Sequence, residues 1–249
     1  MREVTNEEMK RWEEVTTASK LLPATPVVAR LDGRAFHTKT AKLNRPYDVD
    51  FIMCMKAVTL ALMKEFNCDM GQTHSDEISL YWINGMKNGT EPERQFLFDG
   101  TIFKLCSVLA SQTTAFFIQH MSDTLLKKFN AYDAVFDCRV FNVKKFSVCK
   151  AINDNRIRDA LKNSVNQMAH HYLRESDLFG KNTKTRIKML YEKGHDINKE
   201  LLGFRKGFVF KKETVERKFT LDELSKLPEK HNARKDPNLT VRRVRIVEV

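Results

Sequence analysis

Helical spacing and strand alternation divide the chain into a short series of elements. Asn6 to about Leu22 is polar with helical spacing and predicts a leading helix. The apolar run Pro26-Val27-Val28-Ala29 predicts a buried strand that finishes in Arg30-Leu31-Asp32-Gly33-Arg34. After Arg45-Pro46-Tyr47-Asp48, apolar residues at Phe51, Met55, Val58, Leu60, Leu62 and Met63 predict a helix lasting to Phe66. A short strand over about Cys68 to Thr73 follows, then the turn-like His74-Ser75-Asp76-Glu77, then an alternating strand from Ile78 to Ile83. A polar loop with Gly85, Asn88, Gly89 and Pro92 leads to a second long helix, about Thr101 to Met121. That helix carries Ser107, Ala110, Ser111 and Thr114 on one side, and Ala134 to Val143 predicts a fourth strand.

After the leader the order is therefore β-α-β-β-α-β. This is the ferredoxin-like plan, an α+β fold with an antiparallel sheet and its helices on one face. Residues 1–145 are expected to form this unit with its leader. Residues 146–249 are expected to be more helical, with helices near 155–175 and 178–193, a β-like Phe208-Val209-Phe210 and the tail TVRRVRIVEV.

Composition narrows the class. With 249 residues, 42% hydrophobic and 30% charged, the chain is an ordinary globular protein with room for one large domain or a core domain with an appendage. It has no apolar run long enough to span a bilayer, and MREVTNEEMKRWEE has no apolar signal core, so no signal peptide is expected. Five cysteines without a CxxC pair read as reduced thiols of a cytoplasmic protein, not as a disulfide framework or a zinc site. A net charge of +11 favours a polyanionic partner, nucleic acid first, although solubility alone would also account for it.

Candidate chemistry starts with the acids. Asp32 closes the first predicted strand and Asp76 opens the third. In a β-α-β-β-α-β sheet those strands are antiparallel neighbours, ~4.8 Å apart, so the end of one meets the start of the other. Taken singly, Asp32 could pair with Arg30 or Arg34, and Asp76 could be a turn acid or helix cap. At matched ends of adjacent strands they point instead to shared metal ions, which two-metal sites hold ~3.5–4 Å apart. Magnesium needs only one or two carboxylates besides phosphate and water. Gly33 leaves room for its backbone to approach a metal-bound triphosphate, and residues 33–38 can aim N–H groups at phosphate. Glu77, one residue over, is expected to point to the other side. His37 and His74 flank the acids and are read as hydrogen-bonding or packing residues, not metal ligands.

Arg30-Leu31-Asp32-Gly33-Arg34-x-Phe36-His37, Arg45-Pro46-Tyr47-Asp48 and Ser75-Asp76-Glu77-Ile78-Ser79 together resemble the tRNA-His guanylyltransferase superfamily of 3′-to-5′ nucleotide-adding polymerases. The likeness continues through Lys104 to Phe117, Phe136-Asp137-x-Arg139-Val140, Arg158-Asp159, Asn163-Ser164, Asn198-x-Glu200 and Arg205-Lys206-Gly207, covering about residues 25 to 210. It implies a polymerase-like palm with two Mg2+ ions on Asp32, Asp76 and the Gly33 backbone. It also implies a triphosphate site drawn from Gly33, Arg34, Ala35, Phe36, His37, Arg45, Ser75, Lys104 and Arg139. The reaction implied begins with ATP adenylylating a tRNA 5′-monophosphate. The 3′-hydroxyl of an incoming GTP or other NTP then attacks, or a 5′-triphosphate end substitutes. The family is typically tetrameric.

Where the eukaryotic tRNA-His branch carries His-Ile-Asn-Asn, this chain has Leu161-Lys162-Asn163-Ser164. Where a Trp-Arg-Gln run usually precedes that helix, it has Asn155-Arg156-Ile157. The resemblance is therefore closer to the guanylyltransferase-like branch, which repairs 5′-truncated tRNA by copying the opposing strand. Arg156, Arg158, Lys162, Asn163, Asn198, Arg205 and Lys206 are the implied RNA contacts. Further basic clusters are Lys181, Lys184, Arg186 and Lys188; Lys211, Lys212, Arg217 and Lys218; and Arg234, Lys235, Arg242, Arg243 and Arg245. Interleaved Phe204, Phe208 and Phe210 are expected in the core, and the tail reads either as a half-exposed strand or as a disordered RNA arm. A strict tRNA-His guanylyltransferase, a palm-fold nucleotidyl cyclase and a non-catalytic RNA-binding protein are the alternatives. A cyclase would need no large basic surface, and intact Asp32, Gly33 and Asp76 speak against loss of catalysis.

Overall fold

The structure, a computed structural model, describes residues 4–83, 86–87, 91–92, 95–236 and 238–249. Gly85, Asn88 and Gly89 of the expected polar loop lie outside these residues. Six strands form one sheet: β1 (Val27–Gly33), β2 (Met70–His74), β3 (Glu77–Trp82), β4 (Phe136–Asn142), β5 (Phe208–Lys218) and β6 (Thr240–Glu248). Their order is β4-β1-β3-β2-β5-β6, and every neighbouring pair is antiparallel. The first four strands are the expected ferredoxin-like unit. The last two extend it past β2, so Phe208-Val209-Phe210 opens a strand of 11 residues and the tail is a strand, not a free arm. Phe204, Phe208 and Phe210 are buried, as expected.

The long helices are α1 (Asn6–Thr17), α2 (Val49–Glu65), α3 (Ile102–His120), α4 (Phe146–Tyr172) and α5 (Thr183–Glu192). The leader stops at Thr17 because the following residues are drawn into extended structure: Lys20 bridges Thr101, and the Leu21 N–H donates to the Gly100 carbonyl at 2.8 Å. The second strand starts two residues later than expected and the helix of the second half begins at Phe146, well before residue 155.

Two faces of the sheet carry two cores. Val27, Ala29 and Leu31 of β1, with Ile78 and Leu80 of β3, pack against the buried stripes of α2 (Met55, Val58, Leu62) and α3 (Leu105, Leu109, Phe117). The alternate residues Val28 and Tyr81 pack against Cys149 of α4, so the long helix of the second half crosses the opposite face. The stripe Cys149, Asn153, Ala160, Ser164, Val165 and Met168 is the buried side of that helix. All five cysteines are free. Among the described residues no helix is long and apolar enough to cross a membrane.

Candidate active site

The hairpin joining β2 and β3 builds the site. His74 pairs with Glu77, leaving Ser75 and Asp76 as a two-residue turn, and Ser75 takes a left-handed φ of 54°. In the neighbouring ladder Asp32 pairs with Glu77, and the Gly33 N–H donates to the Asp76 carbonyl at 3.2 Å. Asp76 is therefore held beside the end of β1. The Ser75 hydroxyl donates to Asp76 Oδ1 at 3.0 Å. Burial pushes the Asp76 carboxyl above its ordinary pKa; the Asp32 charge adds to this, while its own N–H, the Ser75 hydroxyl and His37 pull the other way.

Glu77 shares the face of Asp32, directly opposite it in register, instead of turning to the other side. Asp76 sits in a turn, so strand alternation does not relate the two. The Glu77 carboxylate is taken by Arg30 Nη2 at 3.3 Å and by Arg156 of α4. Neither Asp32 nor Asp76 has an ion-pair partner among the described residues. Among those residues there is also no group of three or more His, Cys, Asp or Glu side chains placed to hold a metal.

Past Asp32 the chain turns sharply. A Cβ on Gly33 would lie 2.5 Å from the Phe36 ring, so only glycine lets that ring tuck beneath the strand end. Ala35, at φ 56°, then leads into a short helix, Phe36–Lys39, whose first N–H groups have no helical partners. Phe36 is buried against Phe51, Phe117, Phe129 and Phe136.

The acid pair stands between two cavities. The larger, about 770 Å³, has a polar side of Asp32, Gly33, Ala35, His37, Asn44, Arg45, Ser75 and Asp76. Its other side is apolar: Leu43, Tyr47, Phe51, Ile52, Gly203 and Phe204, with Phe36 at its base. The smaller, about 550 Å³, shares Asp32, His74, Ser75, Asp76 and Gln167 and adds Glu77, Arg156, Asp159, Asn163 and Asn166. His74 is structural: its Nε2 lies 3.2 Å from Ser164 Oγ and 3.0 Å from the Phe204 carbonyl, and burial holds its pKa below the ordinary value.

The expected site residues divide. Gly33, Ala35, Phe36, His37, Arg45 and Ser75 join the two acids around the larger cavity, with Arg45 Nη2 donating to the Thr40 carbonyl at 3.3 Å. Arg34 does not line either cavity; it is exposed and its N–H is spent on the Val135 carbonyl at 2.8 Å. Lys104 sits near the start of α3 with its ammonium 5.1 Å from the Phe98 ring centroid. Phe117, which touches Phe36 below the site, is about 20 Å further along that helix at 1.5 Å per residue. Arg139 lies across from Arg30 on edge strand β4, 3.5 Å from Asp137, and lines neither cavity.

Of the expected RNA contacts, Arg156 and Asn163 line the smaller cavity. Arg158 is exposed and bonds Asn155, Lys162 pairs with Asp159 at 3.3 Å, and Asn198 is on an exposed turn. Arg205 has a buried Nε without a partner, and Lys206 is exposed at a separate small groove. Gln167, Gly203 and Phe204 were not expected at the site, since they fold back from more than 90 positions after Asp76.

A palm sheet with two acids at adjacent strand ends, beside a cavity of nucleotide size, defines the class of a palm-type nucleotidyltransferase. A family model described as Thg1: tRNAHis guanylyltransferase matches residues 6–144, and this chain belongs to that family. Among solved structures, a bacterial tRNA(His) guanylyltransferase (Thg1)-like protein in complex with ATP is 28% identical, with TM-score 0.72, over 83% of this chain and 86% of its own. The Thg1-like structure in complex with GTP is 27% identical, with TM-score 0.67, over 85% of each chain. The Saccharomyces cerevisiae tRNA(His) guanylyltransferase shares the fold at 21% identity, with TM-score 0.66, over 82% of this chain and 92% of its own. The chain thus stands nearer the Thg1-like structures. A protein of Acanthamoeba polyphaga mimivirus called uncharacterized protein R259 is 26% identical over 224 residues, covering 83% of this chain and 76% of its own.

Proposed function

We propose that this nucleotidyltransferase adds nucleotides in the 3′-to-5′ direction to 5′-truncated tRNA, copying the opposing strand, in the cytoplasm. The observation that carries the reading is the Asp32–Asp76 pair, without a counter-cation, between two cavities of different character. The larger one fits a nucleoside triphosphate: an apolar end for a base, a cationic and acidic end for phosphates. The smaller one, against the basic helix α4, suits the phosphate-bearing RNA end.

Two acids at neighbouring strand ends, with only a serine hydroxyl bonded to Asp76, fit a divalent cation. Two Mg2+ ions would rest on Asp32, Asp76 and the Gly33 carbonyl. Bound there, magnesium would neutralise phosphoryl charge and make the attacking hydroxyl more acidic. The chain itself supplies positioning. The N–H groups of Gly33, Arg34 and Thr38 are taken by the Asp76, Val135 and Ala35 carbonyls, so Arg45 and the N–H groups of Ala35, Phe36 and His37 hold the triphosphate of ATP or of the incoming NTP. Arg156, with Asn163, orients the RNA 5′ phosphate. The 3′-oxygen of the nucleotide bonds to the 5′ phosphorus, and AMP leaves from an activated end or pyrophosphate from a 5′-triphosphate. Residues 1–145 carry the chemistry in this reading and 146–249 handle RNA, within a homotetramer.

The test uses tRNA lacking its first nucleotide, with a 5′-mono- or triphosphate, magnesium and each NTP singly. Addition that follows the opposing base supports the proposal. Addition of G alone, and only to full-length tRNA-His, favours the strict guanylyltransferase. Bound RNA with no addition contradicts both.

A further inference from the structure

The aromatic wall of the larger cavity is fixed by Glu200, which does not line it. Tyr47 sits in the loop before α2, outside any regular element. Its ring stacks on Phe204, with centroids 4.3 Å apart and planes 24° apart. Its hydroxyl donates to Glu200 Oε2 at 2.9 Å. Every one of these restraints comes from residues 200–204, 153 positions or more along the chain.

That segment is itself firmly seated. A Cβ on Gly203 would fall 2.4 Å from the Phe208 ring and 2.8 Å from Ile52 Cγ2, so the turn packs directly on β5 and α2. The Phe204 carbonyl accepts from Ser164 Oγ at 2.5 Å and faces His74 Nε2 at 3.0 Å. Phe204 is thus tied to α4 and to the strand leading into Asp76, and Tyr47 is tied to Phe204 and Glu200. A planar, half-buried ring held on one face leaves its remaining surface for a planar ligand.

We infer that the Tyr47–Glu200 hydrogen bond sets the base-facing wall of the nucleotide cavity, and that Glu200 is a positioning residue for the nucleobase. The inference rests on the nucleotide reading of that cavity. Removing the bond frees the Tyr47 ring to leave its stack, so the nucleotide meets a mobile wall and its affinity falls. The acids and Arg45 keep their places, so turnover at saturating nucleotide does not change.

The test measures binding of a non-hydrolysable ATP or GTP analogue, and kcat and KM for nucleotide addition, on the full chain. Tyr47→Phe keeps the ring and removes the hydroxyl; it is expected to raise Kd and KM about fivefold, the scale of one net hydrogen bond, with kcat within about twofold. Glu200→Ala gives a similar or smaller rise, Glu200→Gln restores the acceptor and most of the affinity, and the double variant Tyr47→Phe/Glu200→Ala is no weaker than Tyr47→Phe alone. Melting temperatures check that each variant folds. If Glu200→Ala multiplies the defect of Tyr47→Phe by its full factor, or lowers kcat and leaves KM unchanged, the positioning role is overturned. A wild type that binds and uses nucleotide while Tyr47→Phe binds it equally well overturns this inference and spares the functional reading. A wild type that binds no nucleotide overturns both.

Discussion

The Gly33 N–H donates to the Asp76 carbonyl at 3.2 Å, and this one bond ties the end of β1 to the hairpin turn that carries the second acid. Because it joins backbone to backbone, it uses neither carboxyl group. The same contact explains why the two acids can be close without a salt bridge to hold them: the ladder between β1 and β3 does so.

A buried carboxylate beside a second acid costs stability when no cation is bound, and Asp76 is in that position. Asp76 has a raised pKa, so its protonated form is the one the fold prefers. Its contribution is present below the ordinary carboxylate pKa and is lost as pH rises through the higher folded value. Asp76→Asn is therefore expected to raise the melting temperature of the metal-free protein at pH 7 and to leave the gain absent near pH 3. Thermal melts of both proteins across that range check this; an equal or lower melting temperature at pH 7 contradicts it.

Asp48 has the opposite sign. Burial alone would raise its pKa, but the Lys128 ammonium at 2.8 Å and the N–H groups of Asn44 and Phe51 outweigh burial and lower it. It caps α2 while only 4% exposed. Its contribution is present above the ordinary carboxylate pKa and lost as pH falls through the lower folded value. Asp48→Ala leaves Lys128 unpaired and the helix uncapped, and is expected to cost about 3 kcal/mol in urea unfolding at pH 7. The difference from wild type should shrink as pH falls below the ordinary carboxylate pKa and through the lower folded value.

Arg45 and Lys104 separate geometry from resemblance. Arg45 lines the larger cavity and Lys104 is at the end of α3 away from it. Arg45→Ala should raise the KM for nucleotide on the order of tenfold, the loss of a charge-assisted contact, whereas Lys104→Ala should leave it within about twofold. Steady-state titration of NTP on both variants decides between them.

Arg156 and Arg158 lie two positions apart on α4, but only Arg156 lines the smaller cavity. Arg156→Ala should weaken RNA binding and reduce the slope of log affinity against log salt by roughly one, as for one lost phosphate contact. Arg158→Ala should do less. Filter binding at a series of salt concentrations measures both slopes.

The acid pair was legible because its signal is local: an apolar strand ending in Asp-Gly, and a turn ending in an acid before an alternating strand. The β-α-β-β-α-β order came from the same periodicities. The other half of the site was not. Gln167, Gly203 and Phe204 reach the cavity through tertiary packing; the motif residues beside them, Asn163-Ser164 and Arg205-Lys206-Gly207, give no sign of which neighbours face the acids. Strand β5 was seen only over its apolar start, because Lys211, Lys212 and Glu213 break the alternation while still pairing with β6. The first turns of α4 escaped notice since its buried stripe includes the polar Asn153. Lys104 shows the converse: a matching motif position whose helix carries it away from the cavity.

The most direct test is nucleotide addition by Asp32→Ala and Asp76→Ala, each checked for native circular dichroism and melting. If the pair holds the catalytic ions, each variant folds and loses at least about a thousandfold in rate at saturating magnesium. A folded variant that keeps near-normal activity would contradict the account.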